Sequence, residues 1–162
     1  MAELTKEIKL NRNAVAIVDA TDFEWLSQFK WRVFKNRNKL YAVSSFKATN
    51  GEWNDVLMHR LILDAESNTL VDHINENGLD NRRQNLRLAN HHENQYNRSA
   101  PKSNTSGAKG VYWETFTQKW RAKISFNGIT KSLGRFDDKL DAIQAYNEAA
   151  KEFHGEFARL NS

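Results

Sequence analysis

The first 63 residues alternate between apolar and polar positions with the two-residue period of β-strands. Four short apolar runs, at 8–10, 14–18, 31–34 and 40–46, predict the strands of one small sheet. Residues 22–28 predict a helical turn between the second and third of these strands. The segment 56–63, after the turn signal Asn50-Gly51, is compatible either with the last strand of that sheet or with a helix packed on it.

A second pattern begins at residue 70. A short strand around Val71, a polar loop, a strand at 86–89 and a helix are predicted in that order. Asn90 is a suitable N-cap for the helix, and Glu93 three residues later completes a capping box. Residues 99–106 contain the only proline and few groups that could be buried, so we interpret them as a linker.

The last third of the chain predicts a three-stranded antiparallel sheet with one helix packed on it. The strands lie at 109–113, 119–126 and 129–136, and Asn127-Gly128 is a strong hairpin signal between the second and third. Apolar residues then recur at helical spacing from 140 to 153. Asp137 or Asp138 can cap this helix, and Gly155 can end it.

Composition narrows the function classes. The 162 residues include no cysteine, so any metal ion must be bound by oxygen or imidazole ligands, which favours hard cations such as Mg²⁺. No apolar run is long enough to cross a membrane and the N-terminus lacks a secretory signal, so we expect a soluble, cytoplasmic protein. Residues 98–135 carry eight basic side chains and one acidic side chain, Glu114, within a net charge of +4, which favours a polyanionic partner.

The second pattern also holds candidate chemistry. Hydrolysis of a phosphodiester needs a base for water, a cation for the charge on the phosphate, and a group that orients the base. Asp72 and His73 end the first predicted strand, Asn85 precedes the second, and Asn94 lies one turn into the helix. The stretch VDHINENGLDNRRQNLRLANHHENQYNR resembles the HNH nuclease family, in which two strands and a helix surround one divalent metal ion. His59-Arg60, in MHRLIL, is typical of the homing-endonuclease-like branch.

The resemblance implies a role for each residue of this motif. His73 would be the general base, and Asn85 would fix its tautomer by accepting a hydrogen bond from the imidazole. Asp72 and Asn94 would supply oxygen ligands to the cation, Mg²⁺ in the first place and Mn²⁺ as the alternative.

Other polar residues near the motif have more than one interpretation. His91 or His92 would face the metal if the helix began later than predicted. We expect His59 to support the site, and Arg60 either to support it or to contact a phosphate. Four polar side chains between the two strands are interpreted as loop and capping residues: Asn75, Asn77, Asp80 and Asn81.

The third pattern resembles the plant ethylene-response-factor DNA-binding domain. The resemblance rests on SGAKGVYW, KWRAKI, SLGRFDDKLDAIQAYNEAA and HGEFARLN, and it implies a sheet that lies in the major groove of duplex DNA. Strand alternation sends Ala122, Ile124 and Phe126 toward the helix, together with Trp120. The DNA-facing set then comprises Lys109, Tyr112, Trp113, Arg121, Lys123, Ser125 and Thr130.

Taken together, these patterns predict an α+β protein with a small N-terminal sheet and a ββα-metal nuclease core in residues 1–98, the core motif at about 56–98. A linker at 99–106 and a DNA-binding domain at 107–162 follow. We expect a metal-dependent endonuclease acting on duplex DNA, without a small-molecule cofactor; the alternatives are a non-catalytic DNA-binding regulator and an RNA-directed or structure-specific nuclease. Monomer and homodimer both remain open. Basic residues of the first block are candidates for further DNA contacts: Lys30, Arg32, Lys35, Arg37 and Lys39.

Overall fold

The computed structural model describes residues 4–101 and 103–162. It confirms the predicted α+β class. The chain forms two compact units, Met1–Ala89 and Asn90–Ser162, each of which has its own core.

The first unit contains seven strands and two short helices among its described residues. They are β1 (Thr5–Lys9), β2 (Val15–Asp19), α1 (Ala20–Leu26), β3 (Arg32–Asn36), β4 (Lys39–Lys47), β5 (Trp53–Leu57), α2 (Met58–Ile62), β6 (Leu70–His73) and β7 (Leu86–Ala89). The segment 56–63, which the sequence left open between strand and helix, contains both. The strand β5 ends at Leu57 and the helix α2 begins at the next residue.

The single N-terminal sheet predicted from the sequence is wrong, because these strands form two sheets. β1 pairs only with β2, whereas β3, β4 and β5 form a separate antiparallel sheet. The second edge of β2 is occupied by the loop that follows β6: Ile17 N donates to Leu79 O at 2.9 Å, and Asn81 N donates to Ile17 O at 2.7 Å. Because this loop satisfies the backbone groups of β2, β3 has no free edge to pair with there.

The core of the first unit joins its three sheets, β1–β2, β3–β4–β5 and β6–β7, to both α-helices. Val18, Leu26 and Met58 are fully buried at its centre, and each such side chain stabilises the fold by roughly 1.5–3 kcal/mol. Trp31 closes one end of the core, where its indole N–H donates to Leu26 O at 2.8 Å.

A buried carboxylate connects α1 to the turn before β7. Asp22 accepts hydrogen bonds from Arg83 at 2.8 and 2.9 Å and from Trp25 at 3.1 Å. Burial alone would raise the pKa of Asp22, but these hydrogen bonds outweigh burial and lower the pKa below its usual value. Asp22 is therefore ionised at neutral pH and holds the end of the 74–85 loop.

The second unit contains a three-stranded sheet and two α-helices among its described residues. They are α3 (His91–Tyr96), β8 (Val111–Glu114), β9 (Lys119–Phe126), β10 (Ile129–Phe136) and α4 (Lys139–His154). The sheet order is β10-β9-β8, and α4 packs Ala142, Tyr146 and Ala150 against its inner face.

The bounds of β9 and β10 are those that the sequence predicts, but β8 begins two residues late. Gly110 has a φ of +73° and turns the chain before the strand. A Cβ at Gly110 would overlap the Tyr146 ring, so glycine permits both the left-handed conformation and the close approach of α4.

Helix α3 is held within the second unit at both of its ends. The predicted capping box is confirmed, since Asn90 Oδ1 accepts from Glu93 N and Glu93 Oε2 accepts from Asn90 N. At the other end, the Tyr96 ring stacks on His154 with centroids 3.9 Å apart, and Asn127 N donates to Tyr96 Oη at 2.9 Å. The two strands of the predicted ββα core, β6 and β7, thus lie in the first unit, and its helix α3 lies in the second. The domain limits predicted from the sequence stay a prediction.

In the part of the chain that the structure describes, we find no helix whose length and apolar character would let it span a membrane.

Candidate functional site

Residues 74–85 form the loop between β6 and β7, which we call the asparagine-rich loop because asparagine side chains determine its shape. Asn85 Oδ1 accepts from Asn75 N at 3.0 Å, and Asn85 Nδ2 donates to Asn75 Oδ1 at 3.0 Å and to Asp80 O at 2.8 Å. Asn75 and Asn77 also accept from backbone N–H groups two residues further on, which confirms their predicted role as loop residues. Asp80 carries an ion pair with Arg82 at 2.6 Å. The loop is therefore held by its own amides.

His73 ends β6 and lies buried at the start of this loop. Its Nε2 atom is 3.5 Å from Asn81 Oδ1, and Asn81 is fully buried. Burial lowers the pKa of His73 below its usual value, although Asn81 and Asp72 act in the opposite direction. The imidazole is consequently neutral at pH 7, which is the form that accepts a proton.

The residue beside the imidazole is Asn81, whereas Asn85 was predicted there from the family resemblance. Asn85 uses its amide within the loop, as described above. Asn81 was interpreted as a loop residue because nothing local distinguishes it from the other asparagines. Its position follows from the backbone bond to Ile17, which joins segments about 60 residues apart and leaves no local sequence signal.

Two further rings surround His73. The His59 ring lies edge-on to it with centroids 4.9 Å apart, and the Tyr41 ring lies 5.7 Å from His59 and 5.9 Å from His73. Burial lowers the pKa of His59 to about 3, and repulsion from the Arg60 guanidinium and from any proton on His73 acts in the same direction. We call Tyr41, His59 and His73 the ring cluster. His59 is a neutral wall of this cluster, and the supporting role expected for it stays a prediction.

Unsatisfied polar atoms lie next to His73, one in the ring cluster and one in Asn81. Within the described residues, His59 Nδ1 and Asn81 Nδ2 are buried and have no hydrogen-bond partner. Each such atom costs about 1–3 kcal/mol of stability. Both border His73, so the least satisfied part of the first unit coincides with the candidate base.

Asp72 is buried and paired with Arg87, which is its partner in the β6–β7 register. Its Oδ2 atom accepts from Arg87 Nε at 3.0 Å and from Arg87 Nη2 at 2.8 Å. The carboxylate is the kind of oxygen donor that Mg²⁺ prefers, so its chemistry fits the predicted ion. Across residues 4–101 and 103–162, no group of three or more His, Cys, Asp or Glu side chains could hold a metal ion.

The guanidinium of Arg60 is bonded to backbone carbonyl groups. It donates to Thr69 O at 2.7 Å, to Ala65 O at 3.1 Å and to Glu66 O. These bonds fix the segment between α2 and β6. The two roles expected for Arg60, support of the site and contact with a phosphate, both stay predictions.

Asn94, His91 and His92 all lie on α3 in the second unit. His91 and His92 are exposed, and Asn94 is half-buried and helical, its N–H donating to Asn90 O at 3.1 Å. The helix begins at His91, directly after the predicted cap.

The outer face of the β8–β9–β10 sheet carries the charges expected from strand alternation. Tyr112, Arg121 and Arg135 form one row across the three strands. Glu114 accepts from Arg121 at 2.9 Å and from Arg135 at 2.5 Å. Hydrogen bonds from Arg135, Thr117 and Arg121 hold the pKa of Glu114 at about 2, so it stays ionised. Arg135 was missed in the sequence, because an unbroken hairpin register places Gly134 opposite Arg121. A register shift between Ser132 and Gly134 brings Arg135 to that position.

The other residues predicted to face DNA make contacts that do not involve Glu114. Lys123 Nζ lies 5.0 Å from the centre of the Tyr112 ring, and the hydroxyls of Ser125 and Thr130 are hydrogen-bonded at 2.9 Å. Trp113 is not on this face, contrary to its predicted place in the DNA-facing set. It lies opposite Trp120 in the β8–β9 register and packs its ring edge against Trp120, on the other side of the sheet from Tyr112.

Lys109, also predicted to face DNA, is bonded to the end of α3. Its Nζ atom donates to the carbonyls of Tyr96 at 2.5 Å and Arg98 at 2.7 Å, at the end of α3. A DNA contact through Lys109 would therefore compete with bonds that hold the helix.

Comparison with known proteins identifies two viral relatives. The chain is 39% identical over 90 residues to Protein 3.8 of Escherichia phage T7, which covers 56% of this chain and 74% of that protein. It is 33% identical over 145 residues to an uncharacterized HNH endonuclease of Acanthamoeba polyphaga mimivirus, which covers 86% of this chain and 74% of that protein. No protein-family model and no solved structure matches the chain.

The second of these similarities spans most of both proteins. Because it covers 86% of the chain, it includes both strands that flank the asparagine-rich loop, β6 and β7. The chain therefore belongs to the HNH endonuclease family.

The placement of the asparagine-rich loop can be tested at Gly78. A Cβ on this residue would lie 2.6 Å from Tyr41 Cδ1 and closer still to the Leu40 carbonyl oxygen. We expect Gly78→Ala to lower the free energy of unfolding in urea by about 1–3 kcal/mol, because the backbone of β4 cannot give way. Adding Tyr41→Leu to this variant should recover only part of the loss, since the Leu40 carbonyl remains. Wild-type stability of Gly78→Ala would contradict the close approach.

Proposed function

We propose that this protein is a metal-dependent endonuclease that hydrolyses phosphodiester bonds of duplex DNA. The observation that carries the proposal is the environment of His73: a buried, neutral imidazole held between two rings and an asparagine amide, in a chain of the HNH endonuclease family. The viral sources of both relatives support a phage or mobile-element setting, as in homing endonucleases.

His73 would act as the general base. A hydrogen bond to Asn81 selects one tautomer of the ring, and a neutral imidazole keeps a lone pair that can take a proton from the attacking water. The rings of Tyr41 and His59 restrict its rotation. Asn85 would act indirectly, by holding the loop that carries Asn81.

Asp72 would hold the divalent ion, Mg²⁺ or Mn²⁺. When bound, the ion supplies stabilisation of the negative charge that develops on the phosphate and the leaving oxygen. Asn94, the second ligand implied by the family resemblance, lies in the other compact unit, so its contribution needs its own variant.

The outer face of the β8–β9–β10 sheet would bind the DNA duplex. Lys123, Arg121 and Arg135 supply positive charge for phosphates, and Tyr112 can lie against sugars or bases. A sheet that holds the duplex raises the local concentration of DNA for a nuclease unit in the same chain.

A non-catalytic DNA-binding regulator is the second candidate function. The observation that favours it is the Asp72–Arg87 ion pair, because Arg87 already neutralises the carboxylate that would hold a metal ion. A carboxylate neutralised in this way is a weaker metal ligand.

A plasmid assay separates the two functions. We expect the full chain to nick or linearise supercoiled plasmid with Mg²⁺ or Mn²⁺ and to leave it intact in EDTA, with products that carry phosphate and hydroxyl ends. Binding of the plasmid by gel shift should be measured in the same samples. Binding without cleavage under every divalent ion would favour the regulator.

The DNA-binding face can be tested with two lysines of the same sheet. Lys123 is on the outer face, whereas Lys131 pairs opposite Ile124 and lies 4.7 Å from the Phe153 ring. We expect Lys123→Ala to weaken duplex binding and to reduce the slope of log affinity against log salt by about 0.9, the value for one phosphate contact. Lys131→Ala is the matched control and should change neither quantity. Equal effects of both substitutions would contradict the assignment of the face.

A further inference from the structure

The hairpin of β3 and β4 ends in a basic turn. Arg37 and Asn38 connect the strands, closed by the Asn36–Lys39 pair, and Arg37 has a φ of +54°. The side chains of Lys35 and Arg37 are exposed and make no ion pair or side-chain hydrogen bond within the described residues. The tip of this hairpin therefore presents positive charge that nothing in the described chain neutralises.

Lys39 differs from these two residues because it is next to the ring cluster. Lys39 and Tyr41 are two residues apart on β4 and so lie on the same face of the strand. The Tyr41 ring contacts His73, so the face that carries Lys39 leads directly to the candidate base. After burial, the charge of Lys39 is among the influences that lower the pKa of His73.

The asparagine-rich loop reaches Lys39 from the other side. Glu76 N donates to His73 O at 2.9 Å, and Glu76 Oε1 lies 3.6 Å from Lys39 Nζ. Gly78 brings this loop into close approach with β4 at Leu40 and Tyr41. The ammonium group is thus held at the rim of the ring cluster.

The contact with Glu76 leaves Lys39 available to a ligand. The atoms are farther apart than in a hydrogen bond, and the Lys39 side chain is 44% exposed, which makes the pair a weak one. Arg32, on the same face of the sheet, is instead bound to Asp55 at 2.6 Å. A phosphate oxygen can replace Glu76 at Lys39 more easily than it can replace Asp55 at Arg32.

We propose that Lys39 contacts a backbone phosphate of the substrate and so holds the strand to be cut beside His73. The proposal rests on the proposed endonuclease function and adds a substrate-binding residue to that site. Glu76 keeps the ammonium group in place until DNA arrives, and the phosphate then takes over the interaction as a charge-assisted hydrogen bond.

DNA binding tests the contact without relying on catalysis. In the full chain carrying His73→Ala, the affinity for a short duplex is measured over a series of NaCl concentrations, with and without Lys39→Met. We expect Lys39→Met to reduce the slope of log affinity against log salt by about 0.9, as one lost phosphate contact requires. Lys47→Met is the matched control: it lies on the same face of β4, eight residues and about 26 Å along the strand.

Cleavage by the otherwise wild-type chain gives the second readout. Lys39→Met should lower kcat/KM about 10- to 100-fold, and Lys39→Arg, which keeps the charge, should retain most of the activity. Thermal melts identify any variant that fails to fold. An unchanged salt slope for Lys39→Met, or a change no larger than that of Lys47→Met, overturns the proposal. If Lys39→Met reduces the salt slope as expected but the wild-type chain cuts no DNA, the phosphate contact stands and the nuclease function is refuted.

Discussion

The backbone pairing of β2 with the loop after β6 determines where the candidate base lies. Ile17 bonds to Leu79 and to Asn81, and these two bonds place a polar, asparagine-rich loop along the edge of a buried strand. Asn81 becomes fully buried as a result, and its side-chain oxygen faces His73. If this pairing were lost, the Asn81 amide would no longer have a fixed position beside the imidazole.

Side-chain amides and ion pairs, and not apolar burial, determine the shape of the asparagine-rich loop. Asn75, Asn85 and Asp80 bond to each other, and Arg82 and Arg83 join the loop to Asp80 and Asp22. Networks of this kind are stable only when most members are satisfied. The exceptions, His59 Nδ1 and Asn81 Nδ2, both adjoin His73. Functional sites are where unsatisfied groups are retained, because the chemistry requires polar atoms at those positions.

Local patterns in the sequence predicted what depends on neighbouring residues. The capping box at Asn90 and the bounds of β9 and β10 each follow from a few adjacent positions, and the structure has them as predicted. Features that join distant segments were not predictable in this way. The separation of the N-terminal strands into two sheets depends on the pairing of β2 with the loop, about 60 residues later in the chain.

The candidate site shows the same division. Its motif could be located in the sequence, because residue types and spacing resemble those of a known family. Which asparagine faces the imidazole could not be predicted, since Asn81 and Asn85 lie in one polar stretch. The involvement of Lys109 with the end of α3 was also hidden, because a lysine before a strand gives no signal that its ammonium group bonds to carbonyls of a preceding helix.

The central claim is that His73 is the base of a DNA-cleaving site, and its most direct test is the single-turnover cleavage rate of His73→Ala. The substitution should abolish detectable nicking of plasmid with Mg²⁺ while leaving the affinity for DNA close to that of the wild type, because the ring takes part in chemistry. Removal of a buried ring lowers the melting temperature, so a thermal melt establishes that the variant is folded at the assay temperature. Wild-type cleavage by a folded His73→Ala chain would contradict the account, since the water would then have to be activated elsewhere.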